Sequence, residues 1–199
     1  MKISVQEVLG ALHGAATAEL AKTDPQWTPA VLQALARLAP TDACVDPDVF
    51  AARRGTGRAA KEHLWDLVIS TWPKYTSVRY SYPAYFAAAE APRLLLVAES
   101  EWGDQRSRRE NGLAVLDDFV KVLAARAELK VMVFGYFADA GTTPEASSTF
   151  AELTGHMSRL IRLSGDNADY VLFGVAWDLH ECRDIHLAKG HPSDEHIGF

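Results

Sequence analysis

The chain has 199 residues, 48% of them hydrophobic, and a formal net charge of −6. A chain of this length and composition can bury a substantial core, which disfavours a disordered or multi-domain protein and predicts one domain over residues 1–199. Its apolar runs are much shorter than the roughly 20 residues of a membrane helix, and residues 1–20 lack the apolar run of a signal peptide. No membrane association and a cytoplasmic location are therefore expected.

The negative charge also restricts the possible partners. Nonspecific affinity for DNA comes mainly from Lys and Arg side chains that neutralise phosphates, so a net charge of −6 disfavours tight, autonomous DNA binding. The two cysteines, Cys44 and Cys182, form no CxxC pair, which disfavours a zinc ribbon and a disulfide scaffold. An acidic metal site is compatible with this composition, because bound cations would cancel part of the carboxylate charge.

The first 50 residues are predicted to form a helical N-terminal layer. Apolar residues recur at spacings of three and four over residues 4–22, as on one face of an amphipathic helix. A second helix is predicted over residues 29–38, with Thr28 as the N-cap and Pro29 at the first helical position.

A basic segment and an aromatic segment flank the next predicted strand. Residues 51–61 hold four basic side chains around two glycines and are interpreted as a solvated connection or as a phosphate contact. Residues 63–70 are aromatic and β-branched and predict a strand that Asp66 interrupts. The aromatic side chains of residues 71–86, with a further strand considered over 77–81, indicate either core and rim packing or a base-stacking groove.

The remaining elements alternate between strands and helices. Residues 93–98 predict a strand buried on both faces that continues directly into Glu99-Ser100-Glu101. It is followed by a helix over 108–127, a strand over 129–137, a turn at 141–144, a helix over 145–163 and strands over 170–177 and 185–188. This alternation predicts an α/β core over residues 60–190, with helices packed on a central sheet.

Three acidic side chains are candidates for a metal site. Residues two apart in a strand point to the same face, so Glu99 and Glu101 are expected side by side, where their like charges repel. A hard cation such as Mg²⁺ would remove this cost, and Asp66 would supply a third carboxylate if its strand is a neighbour. The alternatives are that the two glutamates mark the exit of the strand into solvent and that Asp66 bonds to nearby backbone N–H groups.

The order of these residues resembles the PD-(D/E)XK nuclease superfamily, also called restriction-endonuclease-like. Its members place an Asp on one strand and Glu-x-Lys or Glu-x-Glu on the next core strand, followed by a helix and another strand. Asp66, the Glu-x-Glu variant at Glu99-Ser100-Glu101 and the segment up to Phe134 carry this resemblance. It implies a mixed central sheet flanked by helices and a Mg²⁺- or Mn²⁺-dependent nuclease, a hydrolase that cleaves phosphodiester bonds in DNA or other nucleic acid.

The resemblance leaves one role unassigned, because Glu101 occupies the position usually held by lysine. Lys121, on the polar side of the following helix, is the candidate to orient or deprotonate the attacking water. The alternative is a surface lysine that pairs with Asp117, one turn earlier. Glu62 is considered either as an outer metal ligand or as a solvated glutamate.

Two classes of function are open at this point. The first is a metal-dependent nuclease with Asp66, Glu99, Glu101 and Lys121 as the catalytic set and the three acids as metal ligands. The second is a non-catalytic protein-interaction module that keeps the nuclease-like fold, which the missing lysine and the net acidity favour. A group of residues near the C-terminus follows no zinc-ligand spacing and is interpreted as strand and loop residues: His180, Cys182, His186 and His191.

Overall fold

The computed structural model describes residues 2–20, 22, 26–41, 43–45, 65–71, 93–102, 107–137, 149–176, 181–189 and 191–192. Several predictions lie outside these residues: the basic segment 51–61, the aromatic residues 72–86, Glu62, residues 141–148 and His180. Among the described residues, no helix has the length and apolar character needed to cross a membrane.

The described part of the chain contains helices and strands in alternation. The helices are α1 (Val5–Leu20), α2 (Trp27–Ala36), α3 (Arg108–Ala124) and α4 (Phe150–Ser164). The strands are β1 (Cys44–Val45), β2 (Leu67–Ser70), β3 (Leu94–Glu101), β4 (Ala127–Tyr136), β5 (Asp169–Ala176), β6 (Cys182–Ala188) and β7 (His191–Pro192).

The strands form one mixed sheet in the order β1 to β7. β1, β2 and β3 are antiparallel to one another, β3, β4 and β5 are parallel, and β6 and β7 are again antiparallel to their neighbours. Helix α3 lies between the parallel strands β3 and β4 in the chain, as a crossover connection requires. The predicted α/β class is confirmed.

Helices cover both faces of this sheet. Side chains of α1 and α2 pack on one face with alternate residues of the central strands, among them Leu12, Val31, Leu96, Ala98, Val131 and Phe173. Side chains of α3 and α4 pack on the other face, among them Phe119, Met157, Met132, Phe134 and Leu172. Because strand residues alternate between faces, Glu99 and Glu101 belong to the α3 side and Ser100 belongs to the α1 and α2 side.

Most predicted elements are confirmed within three residues of their bounds. Helix α3 begins at Arg108 as predicted, and α1, β3, β4, β5 and β6 lie where the periodicity placed them. These elements bury regular apolar patterns, which is the signal that local sequence carries most reliably. Cys44–Val45, which fall in the range expected to be helical, instead pair with β2 at the edge of the sheet.

The prediction for the start of the second helix is wrong. Helix α2 begins at Trp27, and Gln26 is its N-cap with no side-chain capping bond. The backbone N–H of Gln26 donates to the Glu19 carboxylate at 2.6 Å, so a buried acid from α1 anchors this turn. The Thr28 hydroxyl oxygen instead accepts hydrogen bonds from the Ser100 hydroxyl and from the Trp102 indole N–H.

The prediction that Asp66 lies inside a strand is also wrong, because β2 starts at Leu67 and Asp66 lies in the bend before it. Leu67 pairs with Ala98, so a longer ladder would bring Trp65 opposite Ser100. The carboxylate of Asp66 accepts the Ser100 N–H at 3.0 Å and so replaces a ladder hydrogen bond. The side chain thereby ends the strand pairing.

Two large apolar residues of α3 are exposed to solvent. Leu113 and Val120 are 53% and 51% exposed, whereas Val115, Phe119 and Val122 are buried. The sheet and α4 contact only one stripe of the helix, and residues seven apart share a face that points away from it. The apolar side of α3 is therefore wider than the surface that the fold covers.

A glycine in β5 gives a first testable prediction. A Cβ atom at Gly174 would lie 2.7 Å from Phe150 Cδ2 and 2.9 Å from Tyr136 Cδ1. We expect Gly174→Ala to lower the free energy of unfolding by about 1–3 kcal/mol, because both rings are buried and packed. Denaturant unfolding checks this, with Gly10→Ala as the control, since outside its chain neighbours and the adjacent backbone of its own helix no atom lies within 4 Å of a Cβ there. Equal stability of the two variants would contradict the prediction.

Candidate functional site

The candidate site lies where β2 begins, β3 ends and the last two turns of α3 pass over the sheet. Asp66 and Ser100 meet through the hydrogen bond described above. In return, the backbone N–H of Asp66 donates a hydrogen bond to the Glu99 carboxylate. This reciprocal pair of bonds holds the two acids beside each other on neighbouring strands.

Burial and two like charges raise the pKa of Glu99. Its side chain is only 3% exposed, so the interpretation that it marks the exit of the strand into solvent is wrong. Loss of hydration is the largest cause, and the carboxylates of Asp66 and Asp118 add to it, so the pKa of Glu99 rises from 4.5 to about 9. The Lys121 ammonium and the bond from the Asp66 backbone oppose this rise but do not outweigh it. In the absence of a cation, Glu99 is therefore protonated at pH 7.

Lys121 lies at the same site. Its ammonium Nζ is 2.5 Å from Asp118 Oδ1. The hydrogen bond to Asp118 is the largest cause that raises the pKa of Lys121; burial opposes it, and the charges of Asp118, Glu99 and Asp66 reinforce it. The alternative pairing with Asp117 is not what the structure shows, since Asp117 is exposed on the outer side of α3.

Asp118 is the residue of this site that the sequence analysis missed. Its charge acts on both Glu99 and Lys121. The available signal was its spacing, because Asp118 lies three residues before Lys121 and residues at that spacing are neighbours on a helix. Choosing between Asp117 and Asp118 requires the rotation of α3 about its axis, which the sequence does not provide.

Glu101 shares the face of Glu99 but lies further along the strand. It is half-buried and level with Phe134 of β4. Two residues of a strand span roughly 7 Å, so its side chain is displaced toward the end of β3. The structure thus groups Asp66, Glu99 and Lys121 of the predicted set together with Asp118, and Glu101 borders this group.

The opposite face of the same strand end has a different character. The indole N–H of Trp102 donates to Thr28 Oγ1 at 2.8 Å, and the Ser100 hydroxyl donates to the same atom at 3.2 Å. The rings of Trp27 and Trp102 lie 5.2 Å apart between centroids. These contacts join β3 to α2 and direct the Ser100 hydroxyl away from the acids.

The chemistry of the donor set determines what it can bind. Within the described ranges, no three His, Cys, Asp or Glu side chains are grouped so that they could hold a metal ion together. Asp66 and Glu99 nevertheless present the hard oxygen ligands that Mg²⁺ prefers, and Mg²⁺ is commonly held by one or two carboxylates together with water and substrate phosphates. The two acids fit that mode of binding, because the charge of a cation would offset the burial and the like charges that raise the pKa of Glu99.

The C-terminal histidine and cysteine group offers no comparable site among the residues that the structure describes. Cys182 is a free cysteine in β6, and burial, with the charges of Glu181 and Asp184, raises the pKa of its thiol to about 11. His186 lies in the same strand, while His180 and the side chain of His191 are outside the described residues. The thiol is therefore protonated and poorly suited to nucleophilic chemistry.

Comparisons of the chain with protein-family models, curated proteins and solved structures gave no significant match. The case for a function therefore depends on the contacts of Asp66, Glu99, Asp118 and Lys121.

Proposed function

We propose that this protein is a divalent-metal-dependent nuclease with a restriction-endonuclease-like fold that hydrolyses phosphodiester bonds in nucleic acid. Asp66 and Glu99 would hold Mg²⁺ or Mn²⁺, and Glu101, which the sequence pattern suggested as a third ligand, lies beside this pair at the end of β3 without completing a three-carboxylate group among the described residues. Lys121 would act beside them on the attacking water.

One observation carries the proposal: the buried Glu99 carboxyl lies beside the carboxylate of Asp66 and interacts electrostatically with the Lys121 ammonium. Glu99 is 3% exposed, and the charges of Asp66 and Lys121 both act on it. Burying a carboxyl beside another carboxylate is costly, and proteins commonly accept this cost at functional sites. A purely structural contact between β2 and β3 would be made more cheaply by apolar side chains.

The order of elements supports the proposal. Asp66 precedes β2, Glu99 and Glu101 lie on the neighbouring strand β3, and α3 and β4 follow. This is the order in which the resembled superfamily places its acids, its helix and its next strand. Lys121, supplied by the helix, would compensate for the glutamate at the usual lysine position.

Each residue of the group has a distinct task in this mechanism. A bound divalent cation supplies charge stabilisation on the phosphate and lowers the pKa of its bound water. The oxygens of Asp66 and Glu99 would bind the cation. The hydrogen bonds that Asp66 forms with Ser100 and Glu99 would keep the two carboxylates beside each other. Asp118 holds the Lys121 ammonium, which would orient the water for in-line attack.

The net charge of −6 bears on the substrate. Few phosphates would be neutralised by the protein itself, so binding to duplex DNA should be weak and strongly dependent on salt. Hydrolysis is therefore best sought at low ionic strength, with both plasmid and single-stranded oligonucleotides as substrates.

The test uses the variant Asp66→Asn, which keeps an oxygen to accept the Ser100 N–H. We expect Mg²⁺-dependent cleavage by the wild-type protein and a loss of at least about 100-fold in the variant, since metal stabilisation of the transition state amounts to several kcal/mol. Asp117→Asn is the matched control, because it removes an exposed carboxylate of α3 next to Asp118 and should retain activity. Cleavage that survives Asp66→Asn, or that is lost equally in Asp117→Asn, would contradict the proposal.

A non-catalytic protein-interaction module is the second candidate, and one observation favours it. Leu113 and Val120 lie seven residues apart on α3 and expose 53% and 51% of their surface on one face of the helix. Residues at this spacing on an amphipathic helix can form an apolar strip that a protein partner covers. Wild-type protein that binds no Mn²⁺ in electron paramagnetic resonance and cleaves no substrate would favour this candidate over the nuclease.

A further inference from the structure

The last turn of α3 contains a backbone carbonyl that the helix itself leaves without a donor. Helix α3 ends at Ala124, and the N–H of Ala125 donates to the carbonyl of Val122. In a continuing α-helix that N–H would donate to the carbonyl of Lys121, four residues earlier. The final carbonyls of any helix need other partners, because no following turn supplies N–H groups.

Trp65 supplies that partner. Its indole Nε1 donates to the carbonyl oxygen of Lys121 at 2.8 Å. The indole ring packs beneath the end of α3 with Val97, Ala125 and Ala127. Both the hydrogen bond and the packing therefore tie the bend that precedes β2 to the turn of α3 that carries Lys121.

Because Trp65 is next to Asp66 in the chain, its contact with Lys121 connects the lysine to the acidic residues. Trp65 is the residue immediately before Asp66, whose carboxylate and backbone N–H are bonded to β3. One short segment thus contacts Ser100, Glu99 and Lys121 at once. This segment therefore links the backbone of Lys121 to the acids with which its ammonium interacts electrostatically.

We infer that Trp65 is a positioning residue that holds Lys121 over Asp66 and Glu99 through its indole N–H. This inference rests on the proposed function for its catalytic consequence, because Lys121 would act on the attacking water. Misplacement of a catalytic group by about 1 Å can reduce a rate by up to about 100-fold. Loss of this single hydrogen bond can therefore lower the rate of hydrolysis.

The test compares two variants at position 65. Trp65→Phe removes the donor and part of the ring, and replacement of Trp65 by benzothienylalanine removes only the N–H. Trp102→Phe is the matched control, because it deletes an indole hydrogen bond of the same length, to Thr28, on the opposite face of the sheet. Agreement between the two position-65 variants shows that the donor, and not ring volume, is responsible.

Two measurements are made on each protein. Labelling of lysine amines, followed by mass spectrometry, reports the accessibility of Lys121 relative to the exposed Lys2 in metal-free protein. Steady-state cleavage with Mg²⁺ reports kcat and KM. We expect several-fold faster labelling of Lys121 and a fall in kcat of about tenfold with little change in KM in both position-65 variants, but neither change in Trp102→Phe.

The two hypotheses fail in different ways. Unchanged Lys121 labelling in both position-65 variants would overturn the role of Trp65, whatever the wild-type activity. Faster labelling with an unchanged kcat would overturn the claim that this positioning serves hydrolysis. A wild-type protein without Mg²⁺-dependent cleavage would overturn the proposed function, while faster labelling would still support the positioning of Lys121.

Discussion

Glu99→Gln should make the protein more stable, and the gain should grow as the pH rises. The pKa of Glu99 is about 9 in the folded protein and near 4.5 when the side chain is hydrated. The folded state therefore keeps a proton that the unfolded state loses, and wild-type stability decreases as the pH rises between these two values. Glutamine is neutral in both states and avoids this loss, while its side-chain oxygen can still accept the Asp66 N–H.

The expected gain is below about 1 kcal/mol near pH 5 and about 2–4 kcal/mol near pH 8, with about 1.36 kcal/mol per pH unit as the upper limit for one group. Denaturant unfolding in buffer containing a chelator measures it, and groups that titrate equally in both proteins cancel in the difference. Glu110→Gln removes an exposed glutamate in the first turn of α3; it is the control and should show no comparable rise. A gain that does not change with pH would mean that Glu99 ionises normally in the fold.

The second large effect on stability is expected at a buried lysine near the C-terminal end of α3. Lys130 of β4 is 1% exposed and forms an ion pair with Asp166. Its ammonium also donates to the carbonyl of Leu123 at 2.9 Å and to the hydroxyl of Tyr170 at 3.1 Å. A positive charge at a helix C-terminus is favourable, so this lysine also stabilises the end of α3 that carries Lys121.

Asp166 completes the group. Burial acts to raise its pKa, but the hydrogen bonds from Lys130 and Tyr170 outweigh burial and lower it. The Tyr170 hydroxyl donates to Asp166 Oδ2 at 2.6 Å, and burial, with the Asp166 charge, raises the pKa of the tyrosine. Charge and hydrogen bonding are thus satisfied within three side chains and one carbonyl, which explains the group as structural.

We expect Asp166→Asn to lower the free energy of unfolding by about 3–5 kcal/mol, because it leaves the Lys130 ammonium buried without a counter-charge. Lys130→Met should cost less, about 1–3 kcal/mol, since Asp166 is 26% exposed and can be hydrated, while the Leu123 carbonyl loses its donor. The double variant should be more stable than Asp166→Asn alone. Denaturant unfolding at pH 7 provides all three values.

A surface ion pair serves as the comparison for this cluster. Lys2 and Asp169 are 3.8 Å apart, and the lysine is 72% exposed. Lys2→Met should therefore change the free energy of unfolding by less than about 1 kcal/mol. A smaller cost for Asp166→Asn than for Lys130→Met would contradict the assignment of Lys130 as a buried charge that depends on Asp166.

The sequence was sufficient to predict the elements that bury regular apolar patterns. Helix α1, helix α3 and strand β3 follow from spacings of three and four or from an unbroken apolar run, because burial imposes these periods directly on the residues. The same reasoning selected Glu99, since a carboxyl at the end of an apolar strand is conspicuous in any α/β protein. It also identified Lys121 as the lysine to consider, on the polar side of the next helix.

Only the tertiary structure decided which side chains meet. Strand register brings Asp66 to Ser100 and Glu99, and the rotation of α3 about its axis turns Asp118 and Lys121 inward while leaving Asp117 in solvent. Trp65 and Lys121 are 56 positions apart in the chain, and only the fold brings the indole N–H to the lysine carbonyl. Register and helix rotation result from the packing of the whole core, and no local pattern of residues contains that information.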